Sequence, residues 1–336
     1  MLTLLRRLCA LSCVSGDESA DGQTLTELLT PLGSVETMPN GTVLCRIPPK
    51  RQNLPVVLLT AHLDRVGMMA VRVSEKGFLR ASGVGGVDRR SLAGARVTVH
   101  TKTGPLPGVV CCMPPHLASG DKALPDSADL AVDLGLSCER ARELVGYGDR
   151  ITFDGPFTEL LGGRICAPAL DDRAGCAAVL RAAELLCSCE KAEIVVALTA
   201  QEEVGSAGAA TAAAYVRPDF CFAVDVTFAS TPDSNPNEVL TLGGGPAIGF
   251  APALDRRLSE LLHKKAKALG MPCQAEVMAG KTGTDADAAA VSVCGVRTAL
   301  VSIPERYMHT AGEVVSLSDC ENTARLLAET IGGGLC

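Results

Sequence analysis

The stretch Glu193–Ala210 reads EIVVALTAQEEVGSAGAA. Its first seven residues are nearly all apolar, which predicts a strand buried on both faces. The small residues from Gly205 onward predict a helix that starts close to the strand's end. Between the two stand adjacent carboxylates, Glu202 and Glu203, where the chain leaves the core. A buried carboxylate is costly unless it is paired or bound to a metal ion. No lysine or arginine stands beside these two in the sequence to pair with them.

Working outward, the same alternation of helix and apolar strand recurs. A helix over about 173–188 (RAGCAAVLRAAELLCS) precedes this strand, and DFCFAVDV at 219–226 follows it. Next come a helix near 254–269, a strand near 273–278, the strand RTALVSI at 297–303 and a closing helix near 319–331. The first 65 residues or so read helix, helix, strand, strand, then the apolar strand in PVVLLTAHLD. Helices alternating with apolar strands predict an α/β sheet covered on both faces. The middle is different. Short alternating runs such as MMAVRVSEKGFLRAS and RVTVHTKTGPLPGVVCC are broken by Gly and Pro turns, with one helical patch at 137–145. They predict a small β-barrel or sandwich. The expected organisation is therefore a sheet domain made of residues 1–67 and 163–336, with a β-rich insert at 68–162.

Composition narrows the function. The chain has 336 residues and a net charge of −7, which argues against a nucleic-acid partner. The basic patch HKKAK at 263–267 lies in a segment of helical spacing and reads as a solvated face. No run of 18 apolar residues exists to span a membrane, and Arg6 and Arg7 interrupt the apolar N-terminal run, against a signal peptide. Fifteen cysteines show no zinc-type CxxC spacing. Most lie in apolar runs, where a thiol behaves as a small hydrophobe. The expectation is reduced cysteines and a cytoplasmic location.

In open α/β sheets, ligands gather at the carboxyl ends of strands. His62 and Asp64 follow PVVLLTA, Asp171 and Asp172 follow RICAPAL, Glu202 and Glu203 follow the opening strand, Asp225 ends CFAV, and His309 follows RTALVSIPERYM. Taken singly, each has a bland reading. An Asp before a helix is a common N-cap, a lone histidine after a strand is usually a satisfied side chain, and Asp225 could begin a turn. Together they share one predicted address. Two histidines with several carboxylates suit zinc, cobalt or manganese better than calcium. The carboxylates exceed what one ion needs, which points to a two-metal site. Because successive residues of a strand point in opposite directions, Glu202 and Glu203 are expected to divide their tasks.

The motifs AHLDRVG, ALDDRAG, QEEVGSAGA, VDVT and RYMHTAGEVVSLSDCENTARLL resemble those of the M42 family of metal-dependent aminopeptidases. Supporting matches are CVSGDES, GVVCCMPPH, LGGGPAIG and GKTGTDADA, so the resemblance covers nearly the whole chain. It implies a zinc-peptidase-like mixed sheet flanked by helices, with an inserted β-barrel-like dimerisation or lid domain. It also implies two divalent ions per subunit (Zn, Co or Mn), short peptide substrates, and a homo-oligomer built from dimers, up to a dodecamer. Carried over by motif, His62, Asp171, Glu203, Asp225 and His309 would be the metal ligands, with Asp171, two residues before Arg173, bridging both ions. Glu202 would be the general base acting on a metal-activated bridging water, and Asp64 would orient His62 through its other ring nitrogen. The Asp171–Asp172 step is expected to be cis. The alternatives are a carboxypeptidase or N-deacylase of the same fold, and a peptide-binding assembly protein without turnover.

Three departures from the family pattern stand out. Arg65 replaces the usual acidic residue after His62 and Asp64, and FASTPDSNPN follows VDVT where members commonly continue with His. The cysteine content is also high. Arg65 is expected either near the cleft, where it would bias substrate charge, or on the surface.

Overall fold

The computed structural model describes residues 1–114, 116–117 and 126–335. Pro115 of the GVVCCMPPH motif lies outside them. In chain order the elements begin with α1 (Leu2–Cys9), α2 (Gly22–Leu29), β1 (Ser34–Thr37), β2 (Val43–Arg46) and β3 (Val56–His62). The insert follows: β4 (Gly67–Val73), β5 (Leu79–Val84), β6 (Arg96–Thr101), β7 (Gly104–Val110), β8 (Leu130–Asp133), α3 (Cys138–Leu144) and β9 (Arg150–Phe153). The chain then returns through β10 (Thr158–Leu160), β11 (Arg164–Ala167), α4 (Leu170–Leu185), β12 (Glu193–Thr199), α5 (Ala207–Val216) and β13 (Phe220–Phe228). It finishes with β14 (Ala247–Phe250), α6 (Arg256–Ala268), β15 (Gln274–Val277), α7 (Asp285–Ala290), β16 (Arg297–Arg306), β17 (Glu313–Ser316) and α8 (Leu317–Gly332).

Eleven strands form one sheet, ordered β1-β2-β12-β3-β13-β16-β17-β11-β10, with β14 against β16 and β15 against β14. The four central strands β12, β3, β13 and β16 run parallel. Their residues are buried almost without interruption, as a sheet covered on both faces requires. Helices α1, α4, α6 and α8 pack on one face around Leu59, Val196 and Phe222. Helices α5 and α7 cover the other, over Leu58, Val195 and Cys221. Alanines dominate α5 and the middle of α4, so the helix axes can approach the sheet closely.

The six insert strands close into a barrel in the order β4-β5-β8-β7-β6-β9, filled by Met68, Leu79, Val97, Val99, Val132 and Ile151. The fold is thus the expected mixed α/β sheet flanked by helices, with a barrel between β3 and β10. The expected boundary at 162 falls inside the β10–β11 hairpin, and both strands of that hairpin pair in the large sheet. Periodicity did not single out β14, β17 or α7. Each has six residues or fewer, too short for a period to show.

Candidate metal centre

The parallel register places the strand ends side by side, since His62 of β3 pairs with Thr199 of β12. Beyond Thr199 the chain does not continue as a strand. Gln201 takes a positive φ of 62° and Glu202 and Glu203 lie in a turn. Strand alternation is therefore not what separates the two glutamates. The Asp64 carboxylate does so, accepting the Glu202 amide at Oδ1 (3.0 Å) and the Glu203 amide at Oδ2 (3.2 Å), with the Ser15 hydroxyl also donating to Oδ2 at 2.6 Å.

Asp171 and Asp172 open α4, joined by a cis peptide bond and with backbone angles outside the helical range. Asp172 accepts the Gly175 amide at 2.9 Å and the His62 amide at 3.3 Å, so both its oxygens serve backbone groups. Asp171 faces the cleft. Its Oδ1 lies 3.0 Å from His62 Nε2 and its Oδ2 lies 3.1 Å from His309 Nε2. Asp225 Oδ1 approaches the same His62 Nε2, at 3.7 Å, and Glu203 Oε2 stands 3.4 Å from His309 Nε2. All the sequence-predicted ligands thus converge at the strand ends.

Each imidazole is oriented from behind. His62 Nδ1 lies 3.1 Å from the Asp64 carbonyl and 3.6 Å from its carboxylate, so the carbonyl is the nearer partner. His309 Nδ1 lies 2.7 Å from the carbonyl of Gly86 in the barrel. A carbonyl only accepts, so each Nδ1 carries a proton and each Nε2 is turned toward Asp171. Two acceptors at 3.0 Å require a proton or a cation between them.

The electrostatics carry the same message. Burial alone would lower the His62 pKa, but Asp171, Asp225 and Asp64 hold it well above the ordinary imidazole value. Burial likewise opposes protonation of His309, yet Asp171 and Glu203 raise its pKa to about 10. Asp171 is held low against its burial by the two histidines. Burial pushes up Glu202, to about 8, Glu203, well above its usual range, and Asp225. The cluster therefore holds more acid than its two histidines can balance. Glu203 Oε1 is buried with no hydrogen-bond partner among the described residues. Ligand atoms of His62, Asp171 and Glu203 lie within 4.8 Å of one another, as do those of His62, Asp172 and Asp225. This donor set fits divalent cations.

Three buried acids behind the centre escaped the sequence reading. Glu313 Oε2 accepts the Asp171 amide at 3.2 Å, and burial pushes its pKa up to about 8. Glu305 is buried beside it with both oxygens unpartnered among the described residues. Asp285 at the start of α7 accepts the Thr199 hydroxyl, and burial raises its pKa to about 7. Glu313 and Asp285 lie in the quoted motifs, while Glu305 sits just before RYMH. Only the fold reveals that they point inward. Arg65 is a correction. It is neither in the cleft nor on the surface but 4% exposed, facing Glu313 and donating to the Phe153 carbonyl, at the junction of sheet and barrel. Its charge bears on Glu313 from behind the centre, and it cannot meet a substrate there.

The centre opens into a cavity of about 270 Å³, whose walls include Val226, Thr227, Glu276, Leu300, Ser302 and Met308. A larger, more open hollow of about 730 Å³ between α4 and α8 holds none of these ligands.

A family profile described as M42 glutamyl aminopeptidase matches residues 41–326. This chain belongs to the M42 family. It is a peptidase, and membership makes it a metal-dependent aminopeptidase. The chain is 35% identical over 277 residues to the lysyl aminopeptidase of Pyrococcus furiosus, covering 81% of this chain and 80% of that protein. It superimposes on an aminopeptidase from the archaeon Desulfurococcus kamchatkensis with a TM-score of 0.90 at 33% identity, covering 98% of this chain and 93% of that one. The TET1 peptidase of Pyrococcus horikoshii, described as assembling into a tetrahedron or a large octahedral shell, matches with a TM-score of 0.84 at 29% identity over 98% of both chains. Among the described residues, no helix is long and apolar enough to cross a membrane.

Proposed function

We propose that this M42 enzyme removes N-terminal residues from short peptides with two divalent ions per subunit. The observation that carries the reading is Asp171, whose two oxygens face the Nε2 atoms of two different imidazoles. One ion would be held by His62, Asp171 and Asp225, the other by His309, Asp171 and Glu203, with Asp171 shared. Nitrogen and carboxylate donors in this ratio suit zinc, cobalt or manganese. When bound, the ions supply Lewis acidity toward the scissile carbonyl and acidify water at the centre.

Glu202 is the general base. Its amide is anchored on Asp64 and its side chain lines the cavity beside the proposed ligands. It would take the proton of the attacking water and return it to the leaving amine. Asp64 positions this turn and, through its carbonyl, the His62 ring. The barrel would serve as the dimerisation or lid domain. Its exposed Val71, Phe78, Val109, Met113 and Tyr147 are apolar surface that a second copy could cover. A dimer-based particle of up to twelve subunits, like the relatives' shells, would admit only short peptides. All cysteines among the described residues are free, which supports a reducing, cytoplasmic setting.

The test is hydrolysis of aminoacyl-nitroanilides, N-acyl amino acids and C-terminally varied peptides after loading with Zn, Co or Mn. Release of the N-terminal residue alone supports the reading. Cleavage confined to N-acyl or C-terminal bonds would identify a deacylase or carboxypeptidase instead.

A further inference from the structure

Besides the proposed base Glu202, one carboxylate in the cavity belongs to neither ligand group. Glu276 lies on the edge strand β15, half-buried, and its side chain faces the cavity wall formed by β13 and β16. Asp225 and Ser302 are register partners on β13 and β16. Ser302 Oγ donates to Glu276 Oε2 at 2.6 Å, and the Thr227 hydroxyl donates to Oε1. The carboxylate is thus fixed in place, one neighbour beyond the Asp225 ligand. Hydroxyl donors orient a charge but do not neutralise it. Among the described residues no lysine or arginine lines the cavity, and Lys281, the lysine nearest in sequence, is exposed and outside the lining. Divalent ions held by His62, Asp171, Glu203, Asp225 and His309 would balance the acids at the centre, but Glu276 remains without a cation.

The wall beside it is apolar. Val226, Leu300 and Met308 are among the cavity's lining residues. An aliphatic stem ending in a cation suits such a cavity, with the charged head on the carboxylate.

From this arrangement we infer that Glu276 selects basic N-terminal residues, taking the lysine or arginine side chain of the substrate as its counter-ion. The inference rests on the aminopeptidase reading. It makes Glu276 a specificity-determining residue with no part in the bond-breaking step. A neutral side chain leaves the carboxylate unpaired, and an acidic one places like charges together in a confined space.

The experiment compares kcat/KM for Lys-, Arg-, Leu- and Glu-nitroanilides in the cobalt-loaded wild type and in Glu276→Gln and Glu276→Asp. A charge-assisted contact in a half-buried site is worth roughly tenfold to a hundredfold. The wild type is expected to favour Lys and Arg over Leu by that factor and to reject Glu. Glu276→Gln, which keeps shape and hydrogen-bonding capacity, should erase the Lys-to-Leu ratio, mainly through KM, while Glu276→Asp retains part of it. A purely structural role would lower all four substrates together and leave the ratio unchanged, which would overturn the inference. So would a wild type that cleaves Leu- and Glu-nitroanilides as fast as the basic ones, although the aminopeptidase reading would then survive. A wild type that cleaves none of the four would remove both.

Discussion

Asp171 Oδ2 lies 3.1 Å from His309 Nε2, and the carboxylate's other oxygen lies 3.0 Å from His62 Nε2. Neither histidine is a sequence neighbour of Asp171. The contact closes a chain of groups running from β3 through the start of α4 to the loop after β16. If one carboxylate serves both ions, its loss should not be equivalent to the loss of either histidine. Asp171→Asn is expected to abolish binding of both ions and lower activity by at least about a thousandfold. His309→Ala or Asp225→Ala should remove one ion per chain. Metal analysis of the purified variants checks this, and a single retained ion in Asp171→Asn would contradict a shared ligand.

Glu202 and Glu203 are adjacent in sequence but differ in surroundings. Glu202 is braced by Ser206, whose hydroxyl donates to Oε1 at 3.3 Å, while Glu203 keeps an unpartnered oxygen inside the centre. Glu202→Gln preserves the size of the side chain and removes its basicity. The expected result is full metal content with turnover reduced by about two orders of magnitude or more. Glu203→Gln should instead lose metal. Parallel metal analysis and single-turnover kinetics separate the two, and normal turnover in Glu202→Gln would exclude it as the base.

How much of this was legible beforehand follows from the range of the forces involved. The runs VVLLTAH, EIVVALT and FCFAVD announced buried parallel strands because burial on both faces leaves a continuous apolar signal. The proposed ligands were legible because the fold concentrates polar groups at strand ends, and His62, Glu203 and Asp225 each end or follow such a run. Local sequence could not reveal groups whose meaning depends on distant partners. Arg65 reads as a surface or cleft residue until the barrel folds over it. Glu276 reads as an ordinary charge on a short edge strand until Ser302 and Thr227 are seen to hold it. The reason Glu202 and Glu203 diverge was also hidden, because the turn that separates them is set by the Asp64 carboxylate from another strand end.

The barrel reaches the centre through a backbone carbonyl. His309 Nδ1 lies 2.7 Å from Gly86 O, just beyond β5. A side chain added at Gly86 would place its Cβ 3.1 Å from His309 Nδ1 and 3.2 Å from Cε1, tighter than ordinary contact. Gly86→Ala is therefore expected to displace the imidazole without unfolding the barrel, whose core residues lie elsewhere. Affinity for the ion at His309 should fall roughly tenfold to a hundredfold, the usual effect of disturbing a ligand's supporting contact. The check is a metal titration of activity alongside a thermal melt. Unchanged metal dependence would show that the loop moves aside.

Stability without metal should fall as pH rises. In the metal-free protein, burial lifts the carboxyls of Glu202 and Glu313 to about 8 and Asp285 to about 7, above their unfolded values of 4.5, 4.5 and 3.8. Each binds its proton more tightly folded than unfolded, so its stabilising contribution is complete below about pH 4 and is lost as pH climbs through 7 to 8. His62 and His309, held above the imidazole value by their acidic neighbours, act in the same direction: their contribution is full below about pH 6.5 and is lost at higher pH. Chelator-treated protein should therefore melt at a progressively lower temperature between pH 5 and pH 9. Saturating zinc should counter this trend, because its ligands must give up their protons to bind it and the metal's stabilisation grows with pH. Asp285→Asn, which removes one titrating group without touching a proposed ligand, should flatten the metal-free slope between pH 5 and 7. Scanning calorimetry with and without chelator measures all three, and a metal-free melting temperature that rises with pH would mean these carboxyls are ionised in the folded chain.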